Sequence, residues 1–404
     1  MNMSSDFCLV INTGSSSVKF AVYARDTKAP SYWGQVSNLF SDDATLQFIS
    51  AGTNHEQRLS NADHRSAVEA VLRTLQHQDA INNLIGVGHR VVHGGTRANK
   101  AEFINAATLA LIEQCIEFAP LHNPANLAGI HACHCFIPHL PQIAVFDTAF
   151  HASLEPVASS YAIPMAWQQQ FGIRRFGFHG INHHYIAQAT AELFPPTTAQ
   201  GGGNNVVSAH LGNGCSVCAI KDGRSVDTSM GFTPLEGLIM GTRCGDLDPG
   251  LAEYLCKKLN TNIEALTEQL NRNSGLLGVS GVSSDMRQLL LARDQGDVHA
   301  ALAIEMFCYR LAKYIASYAV PLGSIDMLVF TAGIGEHAAA IRARTVAWLS
   351  AFNFQLATDA NAAKAQGIRL ISTPQSNPIY IIPANEEWMI AQQTFQLLDQ
   401  SKVS

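Results

Sequence analysis

Two arginines sit in apolar, glycine-flanked surroundings. Arg90 lies in GVGHRVVHGG (86–95), between two histidines and beside Val91 and Val92, and Arg243 lies in MGTRCGDLDPG (240–250), with Asp246 and Asp248 close by. A guanidinium in such a setting is sequestered and needs an anion, either a structural partner or a substrate. Two of them can bracket a small carboxylate and the phosphoryl group it attacks. Asp147 ends the apolar run IAVFDTAFH (143–151), and His179 stands between glycines and aromatics in FGIRRFGFHGINHH (171–184). Each also fits a structural role, as a helix N-cap or a satisfied core histidine.

Three loops join strand-like runs to small residues with free N–H groups or hydroxyls: Asn12-Thr13-Gly14-Ser15-Ser16-Ser17, His210-Leu211-Gly212-Asn213-Gly214 and Gly333-Ile334-Gly335-Glu336. Such loops let a backbone approach phosphate oxygens closely. None matches G-x-x-x-x-G-K-[ST], which disfavours the P-loop class.

The elements that position these loops follow from periodicity. Residues 7–23 read as strand–loop–strand, and the pattern returns at 206–220 with an offset of 198, aligning Gly14 with Gly212, Ser17 with Cys215, Ala21 with Ala219 and Val22 with Ile220. A chain of 404 residues is too long for one ordinary core, so length and repeat both indicate two duplicated domains. Further strands are expected at 46–50 and 225–229, and amphipathic helices at 64–77, 251–259, 263–270 and 298–318. The stretch 326–340 reads as a buried strand, a Gly-Ile-Gly-Glu turn and a helix start, which is a ready anion site. Mixed strands and helices give an α/β architecture with covered sheets. The Pro/Gly-rich stretch 195–205 reads as a surface loop.

Composition narrows the partners. The net charge is −6, from 26 basic and 32 acidic residues, and no Lys/Arg block occurs, so nucleic acid is not an expected partner. The opening MNMSSDFCLVIN has neither a basic nor a long apolar segment, and no run approaches a membrane span, so a cytoplasmic protein without a membrane partner is expected. The nine scattered cysteines read as reduced thiols. Cys215-x-x-Cys218 lacks a second pair, and the cluster His131, Cys133, Cys135, His139 reads as a helix end running into a proline turn rather than a metal site.

Taken in order, VINTGSSSVKF, GHRVVHGG, PLHNP, VFDTAFH, FGFHG, AHLGNG, DTSMGFTPLEG, GTRCGDLDPG, SGLLGVSGVSSDMR, FTAGIGEH and PANEE resemble the acetokinase family of acetate and propionate kinases. The resemblance implies two domains of the sugar-kinase/Hsp70/actin (RNase H-like) type, residues 1–150 plus 385–404 and residues 151–384, with an interdomain active-site cleft. It also implies a homodimer, ATP/ADP as substrate and Mg2+ as cofactor, with Mn2+ as a substitute. Asn12 and Glu386 would lie near the metal, and Ser15, Ser17 and Lys19 in the first phosphate loop. Arg90 and Arg243 would meet carboxylate and phosphoryl group, with Asp147 and His179 in the catalytic centre. His210, Leu211, Gly212, Asn213 and Gly214 would form the second phosphate loop. Asp285, Met286, Arg287, Gly333, Ile334, Gly335, Glu336 and His337 would hold the adenosine side.

Val92, Leu121, Phe178 and Pro234 would line the acyl pocket. Family members tuned to propionate look to carry a smaller residue where Val92 stands, which favours acetate, although one methylene is worth only about 1–3 kcal/mol. Three positions depart from the family pattern: Cys244 for Ser, Ile181-Asn182 for Thr-Ser, and Ala384 for Thr. A carboxylate is ionised at pH 7, so its attack on ATP needs cations and positioning rather than a strong base, and Asp147 reads better as a positioner than as a proton acceptor. The competing readings are a propionate or butyrate kinase, a polyol or sugar kinase, and a non-catalytic actin/Hsp70-like nucleotide-binding protein. The apolar pocket and paired arginines weigh against the last two.

Overall fold

The computed structural model of the chain describes residues 6–50, 52–78, 80–194 and 205–403, so the expected loop at 195–205 lies, apart from Asn205, outside the described residues. The chain divides into two units, Met1–Phe150 with Asn385–Ser404, and His151–Ala384.

In the first unit, the apolar run FCLVINT forms β1 (Phe7–Thr13), antiparallel to β2 (Val18–Ala24). β3 (Tyr32–Ser37), β4 (Thr45–Ser50) and β5 (Thr53–Arg58) extend this side as a meander. On the other side β6 (Leu84–Val91) runs parallel to β1, β8 (Gln142–Phe146) runs parallel to β6, and the short β7 (Glu102–Phe103) closes the edge. The order is β5-β4-β3-β2-β1-β6-β8-β7. Helix His64–His77 opens on an Asp63/Ser66 capping box and joins Leu9, Ile11, Phe20, Val87 and Cys133 in one core. Helix Glu386–Val403 packs on β1, β2, β6 and β8. The glycines of β6 explain how closely it does so: a Cβ on Gly88 would stand 2.4 Å from Thr394 Oγ1, and one on Gly86 2.9 Å from Leu398 Cδ1.

The second unit repeats the plan. β9 (Asn205–Leu211), β10 (Cys215–Lys221) and β11 (Arg224–Thr228) form the antiparallel part. β12 (Met327–Thr331) runs parallel to β9, β14 (Ile379–Ile381) runs parallel to β12, and β13 (Arg369–Leu370) forms the edge, in the order β11-β10-β9-β12-β14-β13. β1 and β9 start at residues separated by the offset read from the sequence, and both are followed by an antiparallel partner and later parallel strands. The duplicated α/β architecture expected from the repeat is therefore the observed one.

The expected helices appear as His64–His77, Pro249–Leu259, Ile263–Arg272 and Val298–Ser317. One local expectation differs. Gly333–Glu336 is no glycine turn but part of helix Ala332–His337, and the left-handed residue that redirects the chain after β12 is Ala332, at φ 62°. Among the described residues no helix is long and apolar enough to cross a membrane, and no group of three or more His, Cys, Asp and Glu residues could hold a metal ion. Cys133 is buried and Cys135 exposed on one helix, as its turn requires.

Candidate active site

The first unit presents the ends of β1, β6 and β8. After Thr13 the chain turns tightly, with Gly14 N donating to Ser17 O at 2.8 Å and His64 Nε2 meeting Gly14 O at 2.8 Å. Ser15 and Lys19 are exposed, while Asn12 and Ser17 are half-buried. Asn12 is paired in register with Lys19 across the hairpin.

At the end of β6, Arg90 Nη2 donates to Asp147 Oδ2 at 2.9 Å; the Asp147 side chain is 1% exposed, and Asp147 N donates to Val91 O. Arg90 Nε has no partner among the described residues. Burial opposes the Arg90 charge, but Asp147 and Glu386 more than restore it. Glu386, at the start of helix Glu386–Val403, belongs to the same cluster. Enclosure of its carboxyl, against the pull of Arg90 and with Asp147 adding repulsion, pushes it up to about 7. Val92 is buried, and Leu121 is 45% exposed.

Two asparagines absent from the sequence-derived candidates tie these strand ends together. Asn126, fully buried, donates to Thr13 O (2.8 Å) and accepts from Val92 N (3.0 Å). Asn123 accepts from His93 N and donates back to His93 O and to Ile112 O. Both sit on the first turn of helix Asn123–Phe136, Asn123 inside the PLHNP motif and Asn126 two residues after it.

In the second unit, β9 delivers His210 and the loop 212–214, closed by Gly212 N donating to Gly214 O at 3.0 Å. Asn213 O accepts from Gly241 N at 2.9 Å, which ties this loop to the MGTRCG segment. A Cβ on Gly214 would stand 3.4 Å from His179 Nε2 and 3.6 Å from Arg243 Nη1, so both side chains converge on this loop. His179 occupies the left-handed region (φ 56°) just before helix Gly180–Leu193, and its ring stacks on His210 at 4.1 Å. His151 fixes the approach: its ring meets Phe178 O at 3.1 Å and Ser225 Oγ at 2.8 Å. Because the carbonyl only accepts, Nε2 of His151 carries the proton. The Phe178 side chain is 2% exposed.

Arg243 Nη1 also donates to Pro234 O at 3.3 Å. The loop carrying Pro234 is braced by Glu236, which takes Arg175 at 2.6 Å and the Tyr161 hydroxyl. Asp246 and Asp248 turn away from Arg243's task. Asp246 holds Gly237 N, Arg310 and Tyr314, and Asp248 caps helix Pro249–Leu259.

A cavity of about 530 Å3 brings Gly212 and Asn213 together with Asp285, Met286, Arg287, Gly333, Ile334 and His337. Gly335 and Glu336 lie outside this lining: their carbonyls accept from the buried guanidinium of Arg342, and Glu336 Oε1 accepts from Ala384 N at 3.0 Å. Arg342 also grips Asn361 and so clamps the helix that faces the cavity, a role no sequence pattern marked.

The acetokinase family profile matches residues 7–392. The chain is 45% identical over 398 residues to a protein named acetate kinase from Stutzerimonas stutzeri, covering 98% of this chain and 100% of that one. It is 43% identical over 401 residues to an acetate kinase from Shewanella amazonensis, with the same coverage. Among solved structures, a propionate kinase from Francisella tularensis superposes with a TM-score of 0.91 at 40% identity, covering 96% of this chain and 98% of that one. An acetate kinase from Porphyromonas gingivalis superposes with a TM-score of 0.89 at 36% identity, covering 98% and 100%. With two repeated sheets, converging arginine and histidine side chains, and a match over nearly its whole length, the chain belongs to the acetokinase family.

Proposed function

We propose that the protein reversibly transfers the γ-phosphoryl group of ATP to acetate, giving acetyl phosphate and ADP. The observation that carries this reading is the cavity joining the second glycine loop to helices Met286–Asp294 and Ala332–His337, with His179 and Arg243 gathered at the same loop. The relatives named acetate kinase supply the acceptor.

In the reaction a carboxylate oxygen of acetate attacks Pγ in line, and the bond from Pγ to the β–γ bridging oxygen breaks, leaving ADP with the electron pair. No proton need be removed from acetate, because its pKa lies far below 7. The protein's task is to bring two anions together. Arg90 orients the acetate carboxylate, itself aimed by Asp147, whose Oδ2 accepts from its Nη2. Arg243 and His179 meet the equatorial oxygens of the moving phosphoryl group. Ser15 and Ser17 on the first loop, Lys19 near the start of β2, and His210–Gly214 at the end of β9 and the turn after it contact phosphate oxygens. Asp285–Arg287, Gly333, Ile334 and His337 hold the adenosine side, with Gly335 and Glu336 supporting them from behind the lining.

The residues also fit magnesium. Asn12 and Glu386 supply oxygen donors of the kind it takes. Burial raises the Glu386 carboxyl, with Asp147 adding repulsion, and a divalent cation would offset both by favouring its ionised form. Held there, a magnesium ion would supply charge neutralisation for the transferring phosphoryl group.

Val92, Leu121, Phe178 and Pro234 receive the methyl group. The test is acyl phosphate formation, trapped as hydroxamate, with acetate, propionate, butyrate and glycerol. Acetate ahead of propionate and no product from glycerol is the expected result. Propionate or butyrate ahead, as the name of the Francisella relative would have it, overturns the acceptor assignment. ATP binding without product from any acid overturns the reaction itself.

We also propose a homodimer in the cytoplasm. Helix Val298–Ser317 exposes Val298, Leu302, Met306 and Tyr309 at helical spacing, an apolar stripe suited to a second copy. The nine cysteines are free thiols, as a reducing compartment requires.

A further inference from the structure

Beneath the second glycine loop lies a buried layer of polar side chains for which the phosphoryl-transfer chemistry has no direct use. Ser208 on β9, Ser216 on β10 and His183 on helix Gly180–Leu193 are each fully buried. Ser208 Oγ lies 3.0 Å from His183 Nδ1, His183 Nε2 lies 2.8 Å from Ser216 Oγ, and Ser216 Oγ lies 2.9 Å from His179 Nδ1. Asn182, equally buried, places its Nδ2 at 2.9 Å from His210 Nδ1. The Nε2 edges of both rings face the loop: a Cβ on Gly214 would stand 3.4 Å from His179 Nε2, and one on Gly212 3.7 Å from His210 Nε2.

The protons of this chain have two self-consistent arrangements when the imidazoles are neutral. In the first, Ser208 O–H donates to His183 Nδ1, His183 Nε2–H donates to Ser216, and Ser216 O–H donates to His179 Nδ1. His179 then carries its proton on Nε2, toward the loop. In the second every bond is reversed, His179 turns a lone pair to the loop, and the Ser208 hydroxyl proton is left without an acceptor. No other hydrogen bond of the Ser208 side chain occurs among the described residues, and a buried donor is costly to orphan. The first arrangement satisfies every proton. Asn182 acts alike on the other ring, since an amide N–H donated to His210 Nδ1 leaves the ring proton on Nε2.

We infer that Ser208, His183, Ser216 and Asn182 are positioning residues that hold His179 and His210 as neutral Nε2–H tautomers, presenting two stacked N–H donors to an anion seated on the 212–214 loop. The inference rests on the phosphoryl-transfer reading for its purpose but not for its geometry. The stack disfavours charging both rings together, because two imidazolium rings 4.1 Å apart repel each other. Asn182 stands where the family resemblance has Ser, so this device for His210 is a property of this chain.

The test is ring-15N NMR of the full-length protein at pH 7.5, with the two signals assigned through His179→Gln and His210→Gln. Both rings should report a protonated Nε2 and an unprotonated Nδ1. Asn182→Asp, which replaces an N–H donor by a carboxylate at nearly constant shape, should move the His210 proton to Nδ1. A wild-type ring that is Nδ1–H or doubly protonated overturns the inference, and so does a His210 signal unchanged in N182D. In kinetics, Ser216→Ala should lower kcat about 10- to 100-fold, the scale of removing a partner that fixes a histidine tautomer. The KM for ATP should stay within about twofold, the pattern of an interaction made only in the transition state. A loss accounted for by unfolding, with kcat per folded molecule unchanged, would reduce Ser216 to packing. Should wild type make no acyl phosphate while the tautomers are as stated, the functional reading fails and the proton arrangement stands.

Discussion

Arg243 Nη1 meets the Pro234 carbonyl and the thioether of Met240, and stands beside Gly214. Its place at the second glycine loop suits a guanidinium that meets a phosphoryl group seated there. Arg243→Ala should therefore cut kcat by about 10³ to 10⁵. Arg243→Lys should recover little, because a point charge does not reproduce the planar fork. Steady-state assays retaining more than a tenth of wild-type turnover in R243A would remove it from the mechanism. The neighbouring Cys244 carries the opposite expectation. Burial pushes its thiol upward, and Sγ donates to Gly245 O at 3.1 Å, so little thiolate is available for attack. Treatment with iodoacetamide at pH 7 should leave activity intact over a period that fully alkylates an exposed thiol. Rapid inactivation prevented by Cys244→Ser would contradict that.

The strand ends of the first unit are held by the start of helix Asn123–Phe136 as well as by their own ladder. Asn126 alone bridges Thr13 O, just before the Gly14–Ser17 turn, and Val92 N, two residues after Arg90. Asn126→Ala orphans both groups, each at about 1–3 kcal/mol, so urea unfolding should report a loss of roughly 2–6 kcal/mol. The acetate KM should rise with it. An unchanged unfolding midpoint would mean that water or a side-chain shift replaces both bonds. This bridge was not legible in the sequence, because PLHNPAN gives no sign that its asparagines are buried; the same letters serve a solvated helix start. The serines and His183 beneath the second loop are silent for the same reason, since alternation marks a strand's faces but not which polar residue finds a partner. By contrast Asp147, Arg90, His179 and Arg243 stood out, because charge or imidazole inside an apolar or glycine-rich run has few inexpensive explanations. The Gly333–Glu336 segment was misread locally because glycine suggests a turn, whereas here Ala332 takes the left-handed conformation and the glycines let a helix start close to the cavity.

For the whole molecule the repeat was the strongest sequence signal, and it survives as two sheets with the same central strand order although few residues match across it. Packing tolerates such divergence because pattern and volume, not identity, specify a strand. The first unit has also buried His89 and His93, 1% and 0% exposed, and burial pushes each down from 6.5 to about 4. Both are neutral in either state above pH 6.5, where their contribution is complete. As pH falls from 6.5 toward 4 the unfolded chain takes up protons that the folded one refuses, and roughly 3 kcal/mol per histidine is withdrawn. Urea midpoints should fall between pH 7.5 and 5, and His89→Gln should flatten the dependence. Equal midpoints at the two pH values would show that the folded protein accommodates the charged rings.

Direct phosphoryl transfer from ATP to a carboxylate, with the magnesium dependence proposed above, is decided by 31P NMR of the protein incubated with ATP, Mg2+ and acetate. The γ-phosphate signal should fall as acetyl phosphate and ADP signals grow in equal measure, and the change should cease when acetate is omitted or the metal chelated. Growth of inorganic phosphate alone, at a rate indifferent to acetate, would contradict it.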